Sequence, residues 1–221
     1  ARKRAIRESR IDSTRLVAET LARLPGRPAL LCASAIGFYG DRGSEWLEET
    51  SPPGTGFLAQ LCSEWERACE PAREAGLRVV NLRFGVVLDR EQGALAALLP
   101  LHRLGLGGAL GPGAQYVSWI TSADAVAAVQ HILVSAALVG PVNVAAPAPV
   151  PNLELSRALG RVLGRPAFLR VPAAALRLAL GEAADELLLA SQRVRPAKLL
   201  ASGFRFRAAE LEPALRELLS R

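Results

Sequence analysis

Apolar positions recur at helical spacing at the start of the chain and then gather into short unbroken runs. From Ile6 to Leu24, the apolar residues Ile11, Leu16, Val17, Leu21 and Leu24 fall at roughly helical spacing, with Glu8, Arg10, Arg15 and Arg23 elsewhere, which predicts a helix ended by Pro25-Gly26. Pro28 to Cys32 reads as a buried strand, and Asp41 to Gly56 as a polar loop rich in Gly, Pro and acids. Phe57 to Ala75 is an amphipathic helix through Leu58, Leu61, Cys62, Trp65 and Cys69, closed by Gly76. Leu77 to Leu88 follows as a second buried strand. Gly93 to Gly113 reads as mobile and glycine-rich, with a helix over Leu95 to Leu104. A strand at Tyr116 to Ile120, a helix at Ala123 to Ala136 and a strand at Pro141 to Ala145 come next. Asn152 is placed to cap a helix running through Leu163, and Asp124 to cap the helix that it opens. Helices are expected at Ala173 to Leu180, Ala183 to Arg193 and Leu211 to Leu219, forming a small, mainly helical C-terminal region.

This alternation of strand, helix and strand implies right-handed crossovers and a parallel sheet, hence the α/β class. Parallel strands covered on both faces read as continuous apolar runs, and open α/β sheets bind ligands beyond the carboxyl ends of such strands. Leu30 to Asp41 has that form: an apolar run that stops at small residues, with Ser34 at the edge. The 221 residues, 50% of them hydrophobic, suffice for one sizeable core. No apolar run reaches the length of a membrane span. The three cysteines are odd in number and lack zinc-ligand spacing, so reduced thiols in the cytoplasm are expected, with no metal. The net charge of +6 is scattered and aromatics make up only 5%, so neither a nucleic-acid nor a membrane partner is expected. Anionic small molecules such as nucleotides fit the charge. The sequence contains no methionine and opens inside a helix, so an upstream part is expected to precede it.

Three separated segments carry a resemblance. Ala33 to Asp41 (ASAIGFYGD), Leu82 to Leu88 (LRFGVVL) and Gly111 to Ile120 (GPGAQYVSWI) resemble extended short-chain dehydrogenase/reductases. More narrowly, the chain resembles their atypical epimerase-like branch, the NAD(P)-dependent nucleotide-sugar epimerase family. That branch also carries a tail like Pro172 to Leu219, with Gln192 to Leu200 and Gly203 to Phe206. The resemblance implies a Rossmann-like doubly wound parallel sheet whose N-terminal strands lie upstream. Residues 1–148, with a substrate-side loop at 93–120, would belong to that domain and 149–221 to the family-specific C-terminal region. No G-x-G-x-x-G follows a strand here, so this segment alone is expected to expose an apolar sheet edge and to bind NAD(P) poorly.

In such enzymes a tyrosine and a lysine four residues apart work on one helix face. Alignment from Tyr39-Gly40 puts those positions at Leu58 and Cys62, and the accompanying Ser/Thr position at Ala35. The candidate catalytic residues are therefore Ser34, Tyr39 and Cys62, with Asp41 and Glu45 near the pocket. Ser34 replaces the missing hydroxyl only where the strand end bulges; Cys62 is alternatively a packing residue beside Trp65. Cofactor contacts are expected from Ala33, Ser34, Phe84, Gly85 and Val86, and substrate contacts from Arg83, Gly111, Gly113, Gln115 and Trp119. For Arg83 a buried structural ion pair competes with a phosphate contact, and for Trp119 a place in the core competes. The implied cofactor is NAD or NADP, with NADP favoured, and the implied partner is a small, nucleotide-sugar-like molecule; oligomeric state is open. A catalytically inactive cofactor-sensing or scaffolding protein of the same fold is the alternative reading.

Overall fold

Helix α1 (Arg2–Arg23) leads into strand β1 (Leu30–Ala35), and a 3-10 turn at Ile36–Tyr39 carries the chain off the strand end. The computed structural model describes residues 2–220, so Ala1 and Arg221, the ends of the two spans expected above, lie outside the described residues. Beyond a short strand β2 (Trp46–Leu47), helices α2 (Phe57–Arg67) and α3 (Glu70–Glu74) cross to β3 (Val79–Phe84). Strand β4 (Val86–Leu88), α4 (Gly93–Arg103), β5 (Gly108–Leu110), β6 (Tyr116–Val117), β7 (Trp119–Thr121) and α5 (Ser122–Val134) lead to β8 (Gly140–Val144). The C-terminal part contains β9 (Val150–Pro151), α6 (Asn152–Leu163), β10 (Leu169–Val171), α7 (Ala173–Leu180), α8 (Glu182–Ala184), β11 (Arg193–Val194), α9 (Ala197–Ala201) and α10 (Leu211–Leu219).

The central sheet is parallel, in the order β1-β3-β8, with β1 at its edge. Its two faces are covered by different helices. Ala18 of α1 and Ala72 of α3 pack with Leu30, Cys32 and Val79 on one face. Ala125, Ala128 and Ile132 of α5 pack with Val80, Leu82 and Val142 on the other. Burial on both sides keeps these strands largely apolar, with Ser34, Asn81, Arg83 and Asn143 as buried polar exceptions. A third cluster joins Leu88, Leu95 and Trp119 to Leu155 and Leu215, so the core runs across the boundary expected at residue 148.

Several elements depart from the sequence expectation, each for an identifiable reason. The strand expected over Leu77 to Leu88 divides at Gly85. There the chain leaves β8 for β7: Gly85 N–H donates to Val144 O and Val86 N–H to Ser118 O. A Cβ at Gly85 would lie 2.7 Å from Ser118 O, so the crossing requires glycine. The helix expected over Phe57 to Ala75 breaks around Ala68-Cys69 because Pro71 has no N–H to continue the ladder. The loop Asp41 to Gly56 contains β2, which pairs in parallel with β11 and buries Leu47 completely. The helix expected over Ala183 to Arg193 ends in a π turn at Asp185–Leu189, since Gln192 O and Val194 N–H are drawn into bonds with the Ser118 hydroxyl. The expected mobile segment 93–113 is occupied by α4 and β5, the latter paired with β10. Asn152 does not cap α6; its Oδ1 accepts from Leu110 N–H at 2.8 Å. Asp124 is not the cap of α5 either. Thr121 is, and the buried Asp124 carboxylate instead accepts from Arg207 and Ala208 N–H.

Candidate functional site

The β1–β3 register sets Ser34 beside Arg83 at the carboxyl end of the sheet. Both are buried, on the face that meets α2. Glu66, near the end of α2, joins them: Arg83 donates from Nε and Nη2 to its two oxygens, each at 2.8 Å, and Ser34 Oγ donates to Oε1 at 2.8 Å. Arg83 Nη1 also donates to Tyr39 OH at 3.0 Å, and its guanidinium stacks 3.5 Å from the Phe38 ring centre. The Tyr39 hydroxyl donates onward to Asn143 Oδ1 at 2.7 Å, and Asn143 Nδ2 to Arg195 O at 3.0 Å. Beneath them the buried Glu49 accepts from the N–H groups of Asn143 and Lys198. Burial opposes the charge on Arg83, but its bonds to Glu66 and the nearby Tyr39 outweigh that and hold its pKa above the ordinary value. Burial likewise raises the Tyr39 phenol despite Arg83 and Asn143, so it stays protonated in the neutral range.

Beside this network lies a cleft of about 320 Å³. Gly37, Gly40 and Asp41 form one wall, Thr55, Leu58 and Ala59 a second, and Pro112 with Arg177, Asp185, Glu186, Leu189 and Gln192 most of the rest. Helix α2 begins at its floor with no side-chain cap of its own, since Gly56 precedes it. Glu186, 128 positions away from Leu58 in sequence, supplies the cap: its oxygens accept from Phe57 N–H at 2.8 Å and Leu58 N–H at 2.7 Å. Asp41 Oδ1 accepts from Gly43 and Ser191 N–H, and Arg177 pairs with Asp185 at 2.9 Å. The Thr55 hydroxyl and the Gln192 amide make no side-chain hydrogen bond among the described residues and remain available to a ligand.

The residues singled out from sequence fall into different places. None of Ser34, Tyr39 and Cys62 lines the cleft. Tyr39 is fully buried, with its hydroxyl bonded to Asn143 and Arg83. The β1 strand stays in register through Ala35 opposite Phe84, without the bulge that would turn Ser34 over, and Ser34 remains committed to Glu66. Cys62 is buried beside Ser34 and the Ala35 backbone; burial pushes its thiol up to about 11, far from a working acid or base at neutral pH. Arg83 forms the buried ion pair, with Glu66. Ala33 is exposed and Phe84 half-buried on the opposite face of the sheet, with Val86 half-buried beyond; Gly85 is buried and its N–H already bonded. On the loop side, Gly111 and Gly113 take positive φ and flank Pro112, which reaches the cleft. Gln115 is buried and ties Leu110 O to Leu188 O, while Trp119 lies wholly in the core with Nε1 on Ala148 O. Neither reaches the cleft. Sequence reasoning missed Glu66 although a signal existed: Leu58, Cys62 and Glu66 follow at intervals of four on one helix face. Glu186 and Thr55 carried no such signal. Among the described residues no group of three or more His, Cys, Asp and Glu could hold a metal, and no helix is long and apolar enough to cross a membrane.

Comparison with known proteins matches this arrangement to one family. Residues 171–218 match a family described as a domain of unknown function, DUF1731. The epimerase family protein Mb2239 of Mycobacterium bovis is 45% identical over 213 residues, covering 96% of this chain and 70% of that protein. The crystal structure of human epimerase family protein SDR39U1 (isoform 2) with NADPH superposes with a TM-score of 0.93 at 32% identity, covering 99% of this chain and 74% of that one. That of a nucleoside-diphosphate sugar epimerase from Corynebacterium glutamicum gives a TM-score of 0.79 at 37% identity, over 98% of this chain and 43% of that one. The sheet is thus Rossmann-like, and the chain belongs to the SDR39U1 epimerase family.

Proposed function

We propose that this chain forms the substrate side of an NAD(P)-dependent epimerase or oxidoreductase site, with NADP(H) as the cofactor and a nucleotide-sugar-type molecule as the substrate. The observation that carries this reading is the near-complete superposition on the NADPH-bound human relative. The residues present suit the cofactor. Ala33 is small and exposed towards the end of β1, and Phe84 is half-buried on the same face. Ala33, Phe84 and Val86 would hold the nicotinamide end. When bound, that group supplies hydride acceptance and return.

The chain's own part is to bind and orient. Leu58 keeps the floor of the cleft apolar, which excludes water from the reacting carbon. Thr55, Gln192 and the free oxygen of Asp41 offer a donor-acceptor set suited to sugar hydroxyls, and Asp41 is the carboxylate there able to take a substrate proton. This chemistry does not run through a tyrosine–lysine pair, because Leu58 and Cys62 stand at those positions. The same two residues favour a second reading, a cofactor-sensing protein that binds NADPH without turnover. Fluorescence titration of the full-length protein with NADPH and NADH, followed by assays on nucleotide sugars, separates the readings. Turnover that falls on D41N supports the first, and binding without turnover the second. Failure to bind either nucleotide contradicts both.

A further inference from the structure

Positive charge that is scattered along the sequence gathers, on folding, around one apolar turn. Helix α4 ends with Gly105 at φ +74°, where Gly105 N–H donates to His102 O at 3.0 Å and Leu106 N–H to Leu101 O at 2.9 Å. Gly107 then lies against the buried His102 ring, which a Cβ there would strike. The turn also meets the segment between α6 and β10. A Cβ at Gly105 would lie 3.4 Å from Pro166 Cγ, and Leu169 pairs with Gly108, which brings Phe168 alongside the turn. Leu104 is 72% and Phe168 74% exposed, and Leu101 and Leu106 are half exposed beside them. A firmly bonded backbone therefore holds apolar side chains out, and exposed apolar residues that cluster mark a contact surface. Around them stand arginines. A shallow hollow of about 380 Å³ at the end of α6 is lined by Arg157, Arg161 and Arg165 together with Gly160, Gly164 and Ala167. Arg161 is committed to Glu154 and Glu212, but Arg103, Arg157, Arg165 and Arg170 are exposed and make no ion pair among the described residues. None of these residues lines the cleft beside Arg83, and α4 and α6 belong to a different core cluster from α1 and β1.

We propose that this face is a peripheral docking surface for an anionic lipid bilayer. Leu104, Leu106 and Phe168 enter the boundary between headgroups and acyl chains, while Arg103, Arg157, Arg165 and Arg170 pair with lipid phosphates and carboxylates. The charge on the face complements such a surface. Arginine suits the position because its fork meets phosphate at two points while its alkyl stem lies along apolar surface. The apolar side chains decide between a bilayer and other anions: they stand out from the turn and line neither the cleft nor the hollow, so they fit a deformable apolar phase. A nucleic acid would match the arginines and leave the leucines and Phe168 in water.

The test mixes the full-length protein with vesicles of phosphatidylcholine and phosphatidylserine, or of phosphatidylcholine alone, and measures the fraction that sediments. Sedimentation with the mixed vesicles only, weakening as salt rises, is expected. A basic protein can adsorb through charge alone, so the deciding variant is apolar: L104S with F168S should cut partitioning by about tenfold or more. R165E with R170E should cut it at least as far. V134S, at the exposed end of α5, should change nothing. Thermal unfolding checks that each variant folds, and the single changes F168S and R170E give the same reading if a pair does not. No sedimentation with mixed vesicles at low salt, equal sedimentation with phosphatidylcholine alone, or partitioning indifferent to L104S with F168S would overturn the proposal. So would tighter capture by a single-stranded RNA that is lost in R165E with R170E and unchanged in F168S, which would assign the face to nucleic acid.

Discussion

The network around Arg83 and the cleft beside it are neighbours built on opposite terms. In the network, donors and acceptors close on one another: Glu66 takes Arg83 and Ser34, Tyr39 links Arg83 to Asn143, and Glu49 takes two backbone N–H groups. Every polar side chain named there is engaged. In the cleft, Glu186 and Asp41 satisfy backbone groups with part of their capacity, while the side chains of Thr55 and Gln192 make no hydrogen bond among the described residues. Perturbed titration and conspicuous polar residues therefore mark the scaffold in this protein, and spare hydrogen-bonding capacity marks the candidate site. A perturbed group is evidence of function only where it also opens to a cavity.

Substitutions should divide along that line. The largest effect is expected from Glu66→Gln, which leaves the Arg83 charge buried without its partner and should cost about 3–5 kcal/mol of stability, measured by denaturant unfolding. Tyr39→Phe, which strips Arg83 and Asn143 of a shared partner, should cost about 1–3 kcal/mol in the same experiment, with little change in NADPH affinity beyond that stability loss. Glu186→Ala should cost about 0.5–2 kcal/mol, the range for a lost helix cap, and should speed hydrogen exchange at the Phe57 and Leu58 amides in particular. Smallest in stability, within about 0.5 kcal/mol, should be Thr55→Val and Gln192→Leu, yet these should weaken substrate binding most. Equal binding by all five variants would erase the distinction between the two regions.

Much of this was legible in the chain itself. The strands β1, β3 and β8 show as short, mostly apolar runs because both faces of the sheet are largely covered, although Asn81, Arg83 and Asn143 interrupt them, and α6 and α10 show at helical spacing. What escaped depends on partners far away in sequence. Strands β2 and β11 are two residues each and exist because they pair with one another. The break at Gly85 is invisible in an apolar run, since the residues look the same whichever neighbour they join. In the site, a short motif located Ser34 and Tyr39 correctly at the sheet edge but could not tell which way each side chain is committed. Glu66 was readable from the face it shares with Leu58 and Cys62. Glu186 was not, because its role is set only when the C-terminal segment lies across the start of α2.

The most direct test of the central claim is backbone amide exchange of the full-length protein with and without NADPH. The account predicts new protection at residues 33–41 and 57–59, along the open strand end and the cleft floor, and little change at Glu49 and Asn143. Protection confined to Arg83, Asn143 and Glu49, with none at 33–41, would contradict it.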